Sequence, residues 1–182
     1  MCIRDRLQTV EVRPLGTTSK VIGNKRTKPR MVTNFSISKQ PNQNLGAAIG
    51  RKFKLGKKTT FLKNFRFFVA ANDFETVRFS VNIYSTAKGK PDKLLHTQNI
   101  IKELQQHPRG WVNVDLSSYN IYTSGTIIAA INWIYHSPKG NYLQLPLTLP
   151  AIGATHYYRY GSQNKWKRFR GMSTAMQLEI IY

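Results

Sequence analysis

Acidic residues are scarce: 8 Asp and Glu stand against 28 Lys and Arg in 182 residues, a formal net charge of +20. A field of that sign opposes capture of metal cations and raises the local concentration of polyanions. Cysteine is almost missing, with Cys2 alone, so a disulfide framework, a thiolate metal site and a cysteine nucleophile have no basis. Long apolar runs are missing as well, and no stretch approaches the roughly 18 consecutive apolar residues of a membrane-spanning helix. What is present is enough apolar matter for a core, 41% hydrophobic and 12% aromatic, which argues for a packed fold in spite of the charge.

The chain divides into three stretches. Residues 1–6, Met1-Cys2-Ile3-Arg4-Asp5-Arg6, resemble the translation of a transposase sequencing adapter and are expected to be an artefact outside the fold. Without them the chain has no cysteine, and its charge falls by only one. Residues 7–45 read as the end of an upstream module followed by a basic linker with one short strand at each end: Leu7–Val12 alternates weakly, Pro14, Gly16 and Gly23 break regular structure, and Lys20, Lys25, Arg26, Lys28 and Arg30 crowd the polar part.

Residues 46–182 carry a period of two. Phe53 and Leu55 alternate with Lys52 and Lys54, and a turn at Gly56-Lys57-Lys58 is expected to lead into Phe61, Phe65, Phe67 and Val69 on one face of the next strand. Val77, Phe79, Val81 and Ile83 alternate with Arg78, Ser80, Asn82 and Tyr84, the pattern of a half-buried strand. A strand is expected over about Gln98 to Leu104. Ile127 to Tyr135 is apolar on both faces, as a central strand is, and Leu145 to Pro150 reads as a Pro-bounded loop. About eight strands with no βαβ alternation predict an all-β fold, a two-sheet antiparallel β-sandwich of jelly-roll type. Its expected core is Phe65, Phe67, Val69, Phe79, Val81, Ile83, Val112, Val114, Ile131, Trp133, Met176 and Leu178.

No catalytic constellation stands out. The acids are scattered, and Asp73 and Glu75 sit at a turn that explains them. His96, His107, His136 and His156 lie far apart, without the spacing of a zinc site, and Gly161-Ser162-Gln163 lacks the second glycine of a nucleophile elbow. No catalytic residue, metal ligand or cofactor is therefore assigned. Two basic runs remain as candidate binding residues. Arg51, Lys52, Lys54, Lys57, Lys58, Lys63 and Arg66 form the first on alternating positions, so that several are expected to share the outward face of one hairpin, with Lys52, Lys54, Lys57 and Lys58 as the candidates; Tyr158, Arg159, Lys165, Trp166, Lys167 and Arg168 form the second, where aromatics mix with cations able to pair with anions. The competing reading of Trp166 is a side chain packed on the end of the sandwich while its charged neighbours stay solvated.

Several stretches together, Leu7–Val12, Val21–Lys25, Arg78–Tyr84 followed by Gly89–Asp92, Gly110–Leu116, and Tyr158-Arg159 with Ser162-Gln163 and Lys165-Trp166, carry a resemblance. In this order, from Leu7 to Tyr182, the chain resembles the C-terminal region of carboxypeptidase-like regulatory domain-containing proteins of Bacteroidota. The resemblance implies a regulatory-like module upstream, ending near Val12, and an exported protein of the periplasm or outer cell surface. It supplies no catalytic residues. The expectation is a non-catalytic exported module of the cell envelope that docks on anionic polysaccharide or an envelope surface. The alternatives are a nucleic-acid binder and a glycan-cleaving sandwich whose carboxylates converge only in the fold.

Overall fold

The computed structural model describes residues 18–28, 30–36, 44–106 and 109–182, so the expectations for residues 1–6, Leu7–Val12 and His107 lie outside the described residues. In chain order the strands are β1 Ser19–Gly23, β2 Met31–Ser36, β3 Ala48–Val69, β4 Ala71–Asn72, β5 Thr76–Ala87, β6 Lys90–Leu94 and β7 Ile100–Gln105. They continue as β8 Gly110–Asp115, β9 Tyr122–His136, β10 Leu143–Thr148, β11 Thr155–Arg159, β12 Lys167–Arg170, β13 Ser173–Thr174 and β14 Met176–Ile181. The fold is an all-β sandwich of two antiparallel sheets. One sheet has ten strands along the path β1-β14-β3-β9-β5-β6, with β7, β8, β11 and β12 attached; the other has four, β13-β10-β2 with β4.

Alternation explains which side chains face inward. All twelve expected core residues are buried, none more than 7% exposed. The smaller sheet adds Phe35, Leu143 and Leu145 to the same core. Phe35 bridges the layers, its ring 5.5 Å from Phe79 and 6.2 Å from Trp133, while Phe67 meets Phe79 edge-on at 5.3 Å. Burying a side chain of this size stabilises by about 1.5–3 kcal/mol, so the sheets are held chiefly by this aromatic layer.

Three expectations about particular segments are corrected. The stretch read as a linker with a short strand at each end has its described strands inside it: β1 pairs with β14 from Ser19 to Gly23, and β2 pairs with β10. The spacing of glycine and lysine there hid short edge segments whose partners lie more than a hundred residues away. Leu145 to Pro150 is mostly strand. The carbonyl of Pro146 accepts from the Ala175 N–H at 3.2 Å, and a strand residue turns its N and C=O to the same side. Its missing donor therefore falls on the β13 side, where only Leu147 and Thr148 are paired, so the proline interrupts no ladder bond.

Gly56-Lys57-Lys58 is no hairpin turn. β3 runs on through it as a 22-residue strand, with Gly56 opposite Gly125 and register shifts on both sides. Both glycines adopt positive φ, +95° and +75°, the backbone state a bulge requires. A residue able to end a strand here bends one instead, and a further register shift opposite Glu179 and Ile180 puts Leu62 in the core while Phe61, expected on the face of Phe65, packs on Tyr122.

Truncating Phe79 to alanine removes a ring that meets two others, and is expected to cost about 3–5 kcal/mol in urea unfolding. Arg78→Ala, on the exposed face, is expected to cost less than about 1 kcal/mol, the loss of an exposed pair with Glu103. Equal costs would reverse the face assignment.

Candidate functional site

Strand β11 brings the two basic runs together. One edge of β11 pairs with β3, placing Tyr157 opposite Gly50 and Arg159 opposite Ala48; the other pairs with β12, placing Tyr157 opposite Arg168 and Thr155 opposite Arg170. Residues directly opposite in a ladder share a face. The outward face of the ten-stranded sheet therefore presents Lys52 and Lys54 from β3, Arg159 from β11, and Arg168 and Arg170 from β12.

The floor of this face is packed rather than solvated. Ile128 and Ala130 of β9 point outward yet are fully buried. Gly50 lies beside them, and a Cβ on it would come within 3.0 Å of the Ala130 methyl and 3.2 Å of the Ala129 carbonyl, so only glycine fits without movement. Tyr157 is buried and donates from its hydroxyl to the Gly89 carbonyl at 2.9 Å, which draws the β5–β6 turn across the face. Arg168 Nη1 reaches the same carbonyl at 3.4 Å, and Lys88 and Lys90 flank it in the chain.

Trp166 closes the other side. Its ring meets Tyr84 edge-on at 6.0 Å and carries the Arg159 guanidinium over it at 4.8 Å. The indole is half-buried and already engaged, so it holds Arg159 in place rather than offering a free stacking surface. Burial, then the like charges of Lys54, Arg168 and Arg170, lowers the Lys52 pKa from its usual value. Burial likewise raises that of Tyr84, opposed by Arg159. No hydrogen bond or ion pair joins a described carboxylate to these cations.

The remaining sequence candidates lie elsewhere. Tyr158 and Lys167 share the opposite face of β11 and β12: the Tyr158 hydroxyl donates to the Asn34 carbonyl at 3.2 Å, its ring packs against Tyr160 at 4.7 Å, and Lys167 Nζ sits 4.8 Å from the Tyr160 ring centroid. Burial pushes the Tyr158 phenol up to about 12. Lys57 and Lys58 occupy the bulge and are exposed, and Lys165 is exposed in the turn before β12. Sequence reading missed Tyr84, Tyr157, Arg170 and the Gly89 carbonyl. For Tyr84 the signal was available, since it continues the outward parity of Arg78, Ser80 and Asn82.

Two carboxylates do share one row. Asn64 of β3 stands opposite Glu179 on one side and Asp115 on the other, so the two acids are two strand spacings apart, about 10 Å. Both are engaged: Glu179 pairs with Lys63 at 2.9 Å and accepts from Ser19, while Asp115 accepts from the Ser117 N–H, which lowers its pKa. Asp73 is also committed, accepting from the N–H groups of Asn141 and Tyr142.

On the inward face His156 is 3% exposed, with Nδ1 lacking a hydrogen-bond partner among the described residues, and burial lowers its pKa from 6.5 to about 4. The folded imidazole stays neutral where the unfolded one takes a proton. Stability is thus fully present above about pH 6.5 and falls as pH drops toward 4, by up to about 3 kcal/mol from this residue. Urea unfolding at pH 7.5 and 4.5 is expected to show a smaller acid loss in His156→Gln than in the parent; equal losses would contradict the assignment.

No protein-family model matches the chain, and comparison with characterised proteins gives no match. Two solved structures share the fold. A chain carrying the cysteine protease and lectin-like domains of Cwp84, a surface layer associated protein of Clostridium difficile, aligns with 75% of this chain at 13% identity and a TM-score of 0.57. The Clostridial Cwp84 protease after propeptide cleavage aligns with 90% at 11% identity and a TM-score of 0.60. This chain spans 32% of the first and 40% of the second, and at such identities the likeness is one of fold alone.

Proposed function

We propose that this chain is a non-catalytic, exported β-sandwich module that docks on anionic glycan or another anionic envelope surface through the outward face of the ten-stranded sheet. The observation that carries the reading is the convergence of Lys52, Lys54, Arg159, Arg168 and Arg170 from three strands onto one face, around a packed floor and without a pairing carboxylate. A surface built that way pays for its charge repulsion until a polyanion arrives, and association through released counterions is favourable at low salt. The family resemblance supports export to the periplasm or outer surface. The lectin-like and surface-layer associations stated for Cwp84 accord with such a setting.

Engagement of Trp166 with Tyr84 and Arg159 weighs against a stacking platform for single-stranded nucleic acid. Engagement of Asp115 and Glu179 on an open strand row weighs against glycan cleavage.

Binding to a sulfated polysaccharide and to single-stranded DNA, followed from about 50 to 500 mM salt, tests the reading. The polysaccharide is expected to bind more tightly than DNA of equal charge. Lys52→Glu with Arg168→Glu is expected to reduce the slope of log K against log salt by about one to two. Absence of polysaccharide binding at the lowest salt, or an unchanged slope, would overturn it; tighter binding to DNA would favour the nucleic-acid reading.

A further inference from the structure

Arg51 is a cation without a counter-ion in a place where water does not fully reach it. It stands on the inward face of β3, opposite His156, half-buried, with its guanidinium 4.9 Å from the Phe53 ring centroid. Its Nε donates to Ser173 Oγ at 2.8 Å, and no other side-chain hydrogen bond and no carboxylate engages it among the described residues. Burial lowers its pKa only to about 10, so the charge persists at neutral pH. An uncompensated charge removed from water costs free energy that an anion recovers.

A cavity of about 310 Å³ opens beside it, with Arg26, Asn24, Thr148 and Ser173 among its walls and no acid in the lining. The cavity is built by the fold. Gly23, at φ +129°, lets the end of β1 close on the Met176 carbonyl, where a Cβ would sit 2.3 Å from the oxygen. The next residue, Asn24, donates from Nδ2 to Thr148 Oγ1 at 3.0 Å and to the Ser173 carbonyl at 3.1 Å, and its Oδ1 accepts from the Arg26 N–H. Arg26 lines the same cavity and is exposed to solvent. Thr148 is buried and accepts from Asn24, which leaves its hydroxyl proton to donate.

We propose that this cavity binds a tetrahedral oxyanion, a sulfate or phosphate group free or carried as a monoester, between the guanidinium groups of Arg51 and Arg26 and the Thr148 hydroxyl. Guanidinium forks match the oxygens of such a group, and the two arginines and the Thr148 hydroxyl are all able to donate to them. The site is independent of the outward face, because Arg51 and Lys52 point to opposite sides of β3.

Titration of isotope-labelled protein with sodium sulfate and sodium phosphate, at ionic strength held constant with chloride, tests it. Saturable shifts are expected at the Arg51 Nε–H and at the amides of Asn24, Thr148 and Ser173, with a Kd of about 1 mM or tighter. Arg51→Gln is expected to weaken sulfate at least tenfold, Arg26→Gln by a smaller factor, and Lys139→Gln, on an exposed turn, by less than twofold. A sulfated hexose against its unsulfated parent distinguishes an ester from the free ion, since only the former adds shifts beyond the cavity. Shifts that do not saturate, shifts confined to the outward face, or unchanged affinity in Arg51→Gln would overturn the site. Because the parent titration maps the site directly, a variant that fails to fold does not decide the outcome, and loss of polysaccharide docking elsewhere leaves it standing.

Discussion

Backbone hydrogen bonding along β3 sets the position of nearly everything else. Its first residues lie between β9 and β11, and its last between β14 and β8, so one strand joins four neighbours. The bulge at Gly56 makes this compatible with a curved sheet, because a strand of 22 residues cannot follow two sets of partners without a local change of register. Since alternate side chains go to opposite faces, the same strand sends Phe53, Phe65 and Phe67 into the core and Lys52 and Lys54 outward.

Charge then has to be distributed over a scaffold with few acids. Lys63 and Arg78 have partners in Glu179 and Glu103, whereas Lys52, Lys54, Arg159, Arg168, Arg170 and Arg51 have none among the described carboxylates. Two environments result. On the outward face, repulsion is spread over five cations that remain within reach of solvent, with Arg159 held by Trp166. Around Arg51 the charge is concentrated and drier. The first arrangement suits an extended polyanion, whose affinity is a sum of weak, salt-sensitive contacts; the second suits one small anion held by directed bonds.

The sequence was most legible where one face is buried. Phe79, Val81 and Ile83 could be placed in the core because a two-residue period has only one arrangement that hides them. It was least legible where a strand exists through distant pairing: β1 carries lysine and glycine, β10 carries proline, β2 follows a basic polar stretch, and distant partners make them strands. The candidate site shows the same division. The cationic and aromatic residues were visible as types, but alternation splits Trp166 and Arg168 from Lys167 and Tyr158, and only the register of β11 between β3 and β12 says which side meets Lys52. Alternation sets Arg51 on the face of Phe53, but nothing along the chain signals that Ser173 meets it there.

The most direct test of the central claim is a residue-level map of where a sulfated oligosaccharide touches the labelled protein in solution. The account predicts that amide shifts gather at Lys52, Lys54, Gly89, Arg159, Arg168 and Arg170, three strands and one turn that only the fold brings together. Shifts spread evenly over the exposed cations, with Lys57, Lys58 and Lys25 moving as much as Lys52, would contradict it and leave the positive charge as a general solvated coat.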